Sequence, residues 1–203
     1  MTDSPSDADG VLTHAVDVSE IRRLTLFFAD LVDSTALSTQ VEPETYRLVV
    51  GRYREQVQRI VNGYEGHIGS AKGDGLLAVF GHPITHEDDV SRAVQAGLEI
   101  TREVSRLSDQ SKRRFGFGVN VRVGVHWGQV YLDTARGDLS GSAANMATRI
   151  SDLAPPGAVV VSDAVETLIR NDFDLEARPP VVVKGLKEPI IHYRVVGERV
   201  PVA

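Results

Sequence analysis

At 203 residues the chain has the length of one ordinary domain, large enough to bury a real core. A content of 42% hydrophobic and 25% charged residues is that of a globular protein, and the net charge of -6 argues against a nucleic-acid partner. The absence of cysteine excludes disulfides, thiolate chemistry and sulfur-ligated zinc. No apolar run approaches the roughly 18 residues of a membrane span. The first twenty residues also lack the apolar core of a signal peptide. The expectation is a cytoplasmic domain with no membrane insertion.

In chain order, residues 1–20 are acidic and unpatterned and read as a mobile arm. Residues 21–197 read as the single domain, and 198–203 as a tail. Leu24, Leu26, Phe27 and Phe28 form an apolar run too short for a core helix, so a buried strand is expected there. It ends in Asp30, with Asp33, Ser34 and Thr35 just beyond. Glu42-Pro43 opens a helix, since proline suits a first turn. Its apolar stripe is Tyr46, Val49, Val50, Tyr53, Val57, Ile60, Val61 and Tyr64, closed by Gly63 and Gly66. Strands at 67–71 and 76–80 flank Lys72-Gly-Asp-Gly75, a hairpin signal that places Asp74 in a tight turn.

Thr85 with Asp88 has the form of a capping box, and a helix is expected from there to about Leu107. Its core face would be Val90, Ala93, Val94, Gly97, Leu98, Thr101 and Val104. Lys112-Arg-Arg114 reads as a solvated basic loop. Phe117, Val119, Val121, Val123 and Val125 alternate with polar or small residues, as in a half-buried strand. A link from Gly128 to Gly137 leads to Asp138 and a small-residue helix over 141–153, stopped by Pro155-Pro-Gly157. A strand over 158–161, a helix over 163–170 and closing strands at 181–184 and 190–196 complete the chain. This order predicts an α+β fold: a ferredoxin-like split βαβ core with extra helices and strands at its C-terminal end.

Each polar feature has an ordinary local explanation. Asp30 and Asp33 suit a turn or a cap, and Asp-Gly suits a hairpin. Asn145 and Arg149 suit a solvated helix face, Lys184 before Gly185 a plain turn, and His126 a satisfied half-buried histidine. Trp127 reads as packing near a strand end. Two acids at the ends of two apolar strands, however, would meet at one sheet edge. Such a pair suits divalent cations that prefer hard oxygen ligands.

Taken together, the motifs resemble the catalytic domain of class III nucleotidyl cyclases. Phe28-Ala-Asp-Leu-Val-Asp-Ser-Thr35 is similar to that family's first metal motif, and Gly73-Asp-Gly75 with the following strand to the second. Asp138-Leu-Ser-Gly-Ser-Ala-Ala-Asn145, with Arg149 beyond it, resembles the segment carrying a base-reading acid and the transition-state Asn and Arg. Val183-Lys-Gly185 resembles the closing hairpin whose lysine holds the terminal phosphates. The resemblance runs from about Arg22 to Val196. It implies two divalent cations, Mg²⁺ or Mn²⁺, on Asp30, Asp74 and the Leu31 backbone carbonyl. It implies Asn145 and Arg149 as catalytic residues, with Lys184, Asp138, Ser70, Lys72 and Thr35 on the substrate. It further implies an ATP-consuming homodimer in which one subunit supplies the metal acids and its partner the Asn, Arg and Lys. The link at 128–137 is short, as in the family's short-arm bacterial branch.

The chemistry agrees with those residue types. Attack of a ribose 3′-hydroxyl on an α-phosphate, with pyrophosphate leaving, calls for two cations roughly 3.5–4 Å apart. It also calls for donors already aimed at the phosphoryl oxygens. Asn145 and Arg149, at i and i+4, share one helix face. A guanidinium suits bidentate contact with phosphate, and Lys184 a point-charge contact. In one respect the chain departs from the family: Ser70 stands where an adenine-reading lysine is usual, with Lys72 two positions on. Asp138 stands where the family's adenine-specific members carry an acid, and an acid acceptor suits the exocyclic amine of adenine, so the resemblance favours ATP with looser selectivity. Ala144 replaces the usual valine before the Asn. The alternatives are a relaxed ATP/GTP cyclase, a catalytically weak nucleotide-binding or dimerising module, and a plain ferredoxin-like interaction domain.

Overall fold

The computed structural model describes residues 19–133 and 138–200. Strand β1 (Ser19–Leu31) is followed by a short helix α1 (Ser34–Gln40), a long helix α2 (Pro43–Gly63) and the hairpin β2 (His67–Lys72) and β3 (Gly75–Phe80). Helix α3 (Asp89–Phe115) leads to β4 (Val121–Asp133), which folds back on β5 (Asp138–Ser140). Helix α4 (Ser142–Asp152), β6 (Val159–Ser162), α5 (Asp163–Ile169), β7 (Phe173–Ala177) and β8 (His192–Glu198) complete it. The strands form one sheet in the order β2-β3-β1-β4-β6-β8-β7, with β5 beside β4. Strands β4 and β6 run parallel, and the other pairings are antiparallel. This is the expected α+β core with its C-terminal additions.

Strand alternation divides the apolar residues between two faces. Phe27, Ala29 and Leu31 of β1, Leu76, Ala78 and Phe80 of β3, and Val121, Val123 and Val125 of β4 face the large core. There they meet the α2 stripe, whose Val49, Val50, Tyr53, Val57, Ile60 and Val61 are buried as its periodicity predicts. On the other face, Leu24, Leu26, Val79 and Val130 pack against Ala143 and Ala147 of α4. Ile150, Ala154, Val160 and Ile190 form a third cluster beside it.

Several element boundaries differ from the sequence reading. Helix α3 continues to Phe115, so Lys112, Arg113 and Arg114 lie in its last turn, where cations favour the dipole. Gly116, at φ 82°, ends it with an N–H bond to the Lys112 carbonyl. The buried stripe of α3 includes Ile100, Leu107, Ser108 and Ser111, whereas Val90 and Leu98 are only partly buried. The helix start carries no capping box: Asp89 accepts from the His86 N–H and pairs with Arg92 at 2.6 Å, and the Thr85 hydroxyl donates to the Gly81 carbonyl.

Strand β4 begins at Val121 rather than Phe117, because the Val119 N–H bonds to Ser108 Oγ and not to a neighbouring strand. It then runs through 128–133, the expected link, in register with β1 as far as Ser19. Val181 to Lys184 makes only a single bridge, Val181 to Ile190. Strand β7 and helix α1 are additions that the sequence reading lacks.

Candidate active site

Strand β1 pairs with β3 through Ala29 and Leu76, which brings the Asp30 end of one strand to the Asp74 turn of the other. The Leu31 N–H donates to Asp74 Oδ2 at 3.0 Å, so the two motifs are tied directly. Asp30 lies opposite Arg122 of β4, and Arg122 Nη2 reaches Asp30 Oδ2 at 3.1 Å. The same guanidinium lies 3.9 Å from Asp152 at the end of α4. Burial raises the Asp30 carboxyl above its ordinary range; Arg122 opposes this, while Asp152 and Asp74 add to it. Asp30 Oδ1 is buried, with no hydrogen-bond partner among the described residues.

These observations fit a divalent cation. The donors are hard carboxylate oxygens, one of them with no hydrogen-bond partner among the described residues, and Arg122 lies against Asp30. No group of three or more His, Cys, Asp or Glu residues forms a metal cluster among the described residues. Further ligands would have to be backbone carbonyls such as that of Leu31, waters or substrate phosphates, as is usual for Mg²⁺.

A second group gathers on α4. The helix lies on β4 so closely that a Cβ at Gly124 would come within 2.3 Å of the Ser151 nitrogen and 2.6 Å of the Ala147 carbonyl oxygen. With Ala143, Ala147, Ile150 and Ser151 turned to the sheet, Asn145 is exposed and Arg149 half-buried, one turn apart. Arg149 Nη1 is buried, without a partner among the described residues. Lys184 is exposed on a turn closed by the Leu186 N–H to the Val183 carbonyl. Val183 and Leu186 pack on the Ile150 cluster, so this turn is seated beside α4. None of the hydrogen bonds or ion pairs among the described residues joins Asp30 or Asp74 to Asn145, Arg149 or Lys184.

Ser70 is exposed on β2 opposite Leu77, and Thr35 is exposed in the first turn of α1. Lys72 closes β2 and Asp138 opens β5, but their side chains lie outside the described parts of the structure. His126 is half-buried, its Nδ1 2.8 Å from Ser162 Oγ, and burial lowers its pKa. Trp127 packs partly on the large core under the Arg23 guanidinium, 4.9 Å from the ring centre. The residue that sequence reasoning missed is Arg122. Alternation assigns it to the polar side of β4, but only the β1–β4 register sets it against Asp30.

With this geometry in view, residues 16–197 match the family described as adenylate and guanylate cyclase catalytic domain, and the chain belongs to that family. A putative adenylate cyclase 3 from Rhizobium meliloti is 28% identical over 83% of this chain and 27% of its own length. An adenylate cyclase from Glutamicibacter nicotianae is 31% identical over 78% of this chain and 36% of its own. The chain thus spans only about a quarter to a third of these relatives. Among solved structures, the adenylyl cyclase CyaB from P. aeruginosa superposes with a TM-score of 0.83 at 25% identity, covering 91% of this chain and 99% of its own. The guanylyl cyclase Cya2, at 24% identity, shares the fold with a TM-score of 0.83 over 90% of this chain and 96% of its own.

Proposed function

We propose that residues 21–197 form the catalytic domain of an adenylyl cyclase that converts ATP to 3′,5′-cyclic AMP and pyrophosphate. The observation that carries this reading is the division of the site into two groups that no hydrogen bond or ion pair joins directly among the described residues. Asp30 and Asp74 stand together at one sheet end, while Asn145, Arg149 and Lys184 gather on α4 and the turn beside it. A homodimer with two-fold symmetry would set each acid pair against the partner's α4, giving two equivalent sites.

Asp30 and Asp74, with the Leu31 carbonyl, would hold Mg²⁺ or Mn²⁺. When bound, the two cations lower the pKa of the attacking hydroxyl and neutralise the leaving phosphates. Arg149, with a buried unpartnered Nη1, is suited to spend its free donors on the α-phosphoryl oxygens, and Asn145 to support it. Lys184 supplies a mobile positive charge for the terminal phosphates. Asp138 would accept from the adenine amine, with Ser70, Lys72 and Thr35 as weaker substrate contacts. Among the described residues no helix is long and apolar enough to cross a membrane, in keeping with a domain that draws on cytoplasmic ATP.

The test measures product from ATP and from GTP, with Mn²⁺ and with Mg²⁺, over a range of protein concentrations. Cyclic AMP formation with specific activity rising on concentration is expected. Mixing Asp30→Ala with Arg149→Ala, each inactive alone, should restore about a quarter of the activity if sites are shared across a two-fold dimer. A second reading, a nucleotide-binding module with little turnover, is favoured by Ser70 at the base-reading position. ATP binding without cyclic product at any concentration would select it.

A further inference from the structure

Arg122 of β4 stands between two carboxylates. Its Nη2 lies 3.1 Å from Asp30 Oδ2 and 3.9 Å from Asp152 Oδ1, so one nitrogen is within ion-pair reach of both. Asp30 holds it now, from directly across the β1–β4 ladder and from the more buried position, its side chain 18% exposed against 58% for Asp152. That pair leaves the guanidinium under-used. A single hydrogen bond joins it to Asp30 where a bidentate pair would make two, and Nε is buried with no partner among the described residues. Asp152 is an acid in an unfavourable place. It ends α4, where the macrodipole disfavours negative charge, and its one ion pair among the described residues is the long contact with Arg122.

We propose that Asp152 is a positioning residue for the cation site: it takes over the Arg122 guanidinium when a divalent cation takes Asp30. The inference rests on the metal reading proposed above. A cation on Asp30 sets a second positive charge beside the guanidinium, and the two repel. An arginine cannot shed its proton, so it has to move. A displacement of about 1 Å brings Nη2 within hydrogen-bond distance of Asp152 Oδ1. Asp152 thus acts on cation affinity through Arg122 and not on the reacting atoms. The same exchange fastens the last turn of α4, the helix of Asn145 and Arg149, to β4.

The test titrates the full chain with Mn²⁺ alone, free Mn²⁺ being read by electron-spin resonance. The parent should bind Mn²⁺, and Asp30→Asn should not. Asp152→Asn should bind roughly tenfold more weakly, because Arg122 then has no second acid to go to. Arg122→Gln should bind at least as tightly as the parent. In that background Asp152→Asn should cost nothing further, since no guanidinium is left to move. Parent-like affinity in Asp152→Asn, or weaker binding in Arg122→Gln, would overturn this inference and leave the metal reading standing. So would a loss in Asp152→Asn that persists beside Arg122→Gln, which marks a direct ligand or a bulk charge. A parent that binds no Mn²⁺ would overturn both. If Arg122→Gln fails to fold, ¹⁵N nuclear magnetic resonance of the parent and Asp152→Asn under Mg²⁺ decides the question. The Arg122 Nε signal should reach an end-point in the parent that Asp152→Asn does not reproduce, and a shared end-point would overturn the inference.

Discussion

The two faces of the sheet are built for different tasks. One face is covered by α2, α3 and α5 and is continuous hydrocarbon from Leu31 to Val195. The other carries α4 alone among the long helices and leaves Phe28, Leu139 and Ala144 only partly buried. Asn145 and Arg149 lie on this thinly covered face, and Ser70 of β2 is exposed beside it. Asp30 and Asp74 sit at its end, where Arg122 and Asp152 reach from β4 and α4. The deep face supplies the stability that lets the thin face hold buried charge and unpaired donors, groups that a core would reject. Stability and chemistry should therefore respond to different substitutions.

The largest effect is expected at the acids. Asp30→Ala or Asp74→Ala should lower cyclase turnover roughly a thousandfold, since a bound cation supplies several kcal/mol of transition-state stabilisation. The thermal unfolding curve should stay close to that of the parent. Wild-type turnover in either variant would break the division between the faces at its chief point.

Gly124→Ala and Ile100→Ala make the sharper contrast. The first puts a methyl group against the α4 backbone, which cannot yield as a side chain could. It should lift α4 off the sheet, costing about 1–3 kcal/mol of stability and most of the turnover with it. Ile100, fully buried in α3 on the deep face, should cost about 3 kcal/mol when cut to Ala, with KM for ATP unchanged. Denaturant unfolding alongside steady-state kinetics would separate the two. Equal kinetic damage at both sites would mean that the faces are not independent.

Smaller effects are expected at Ser70 and in the pH profile. Ser70→Lys should raise the preference for ATP over GTP by roughly tenfold, the worth of one charge-assisted hydrogen bond. Competition between the two nucleotides would measure it. The Asp30 carboxyl is raised by burial, so the native protein holds its proton more tightly than the unfolded chain does. Its contribution to stability is therefore favourable at low pH and is lost as pH rises above the ordinary carboxylate range and through the raised native value. Metal-free Asp30→Asn should consequently melt about 2 °C higher than the parent at neutral pH, a gain that disappears in acid. A lower melting point would show that the Arg122 pair outweighs burial.

What the sequence by itself determined is whatever local periodicity and motif order encode. The α2 stripe from Val49 to Val61 is buried residue for residue, because a 3.6-residue repeat admits one core face. The two acids fall at the ends of apolar strands, and Asn145 and Arg149 fall on one helix face, by spacing alone. Tertiary structure alone decided where strands stop and what the acids touch. The second half of β4, from Gly128, reads locally as a loop, yet it pairs with β1 down to Ser19, because a ladder is set by its distant partner. Val181 to Lys184 reads as a strand, yet its backbone makes one bridge and Val182 is 80% exposed. The Arg122 pair with Asp30, the close approach of α4 at Gly124, and the bond from Arg54 of α2 to the Gly73 carbonyl before Asp74 all depend on contacts far apart in the chain. Such contacts are set by strand register and packing, which no local pattern carries.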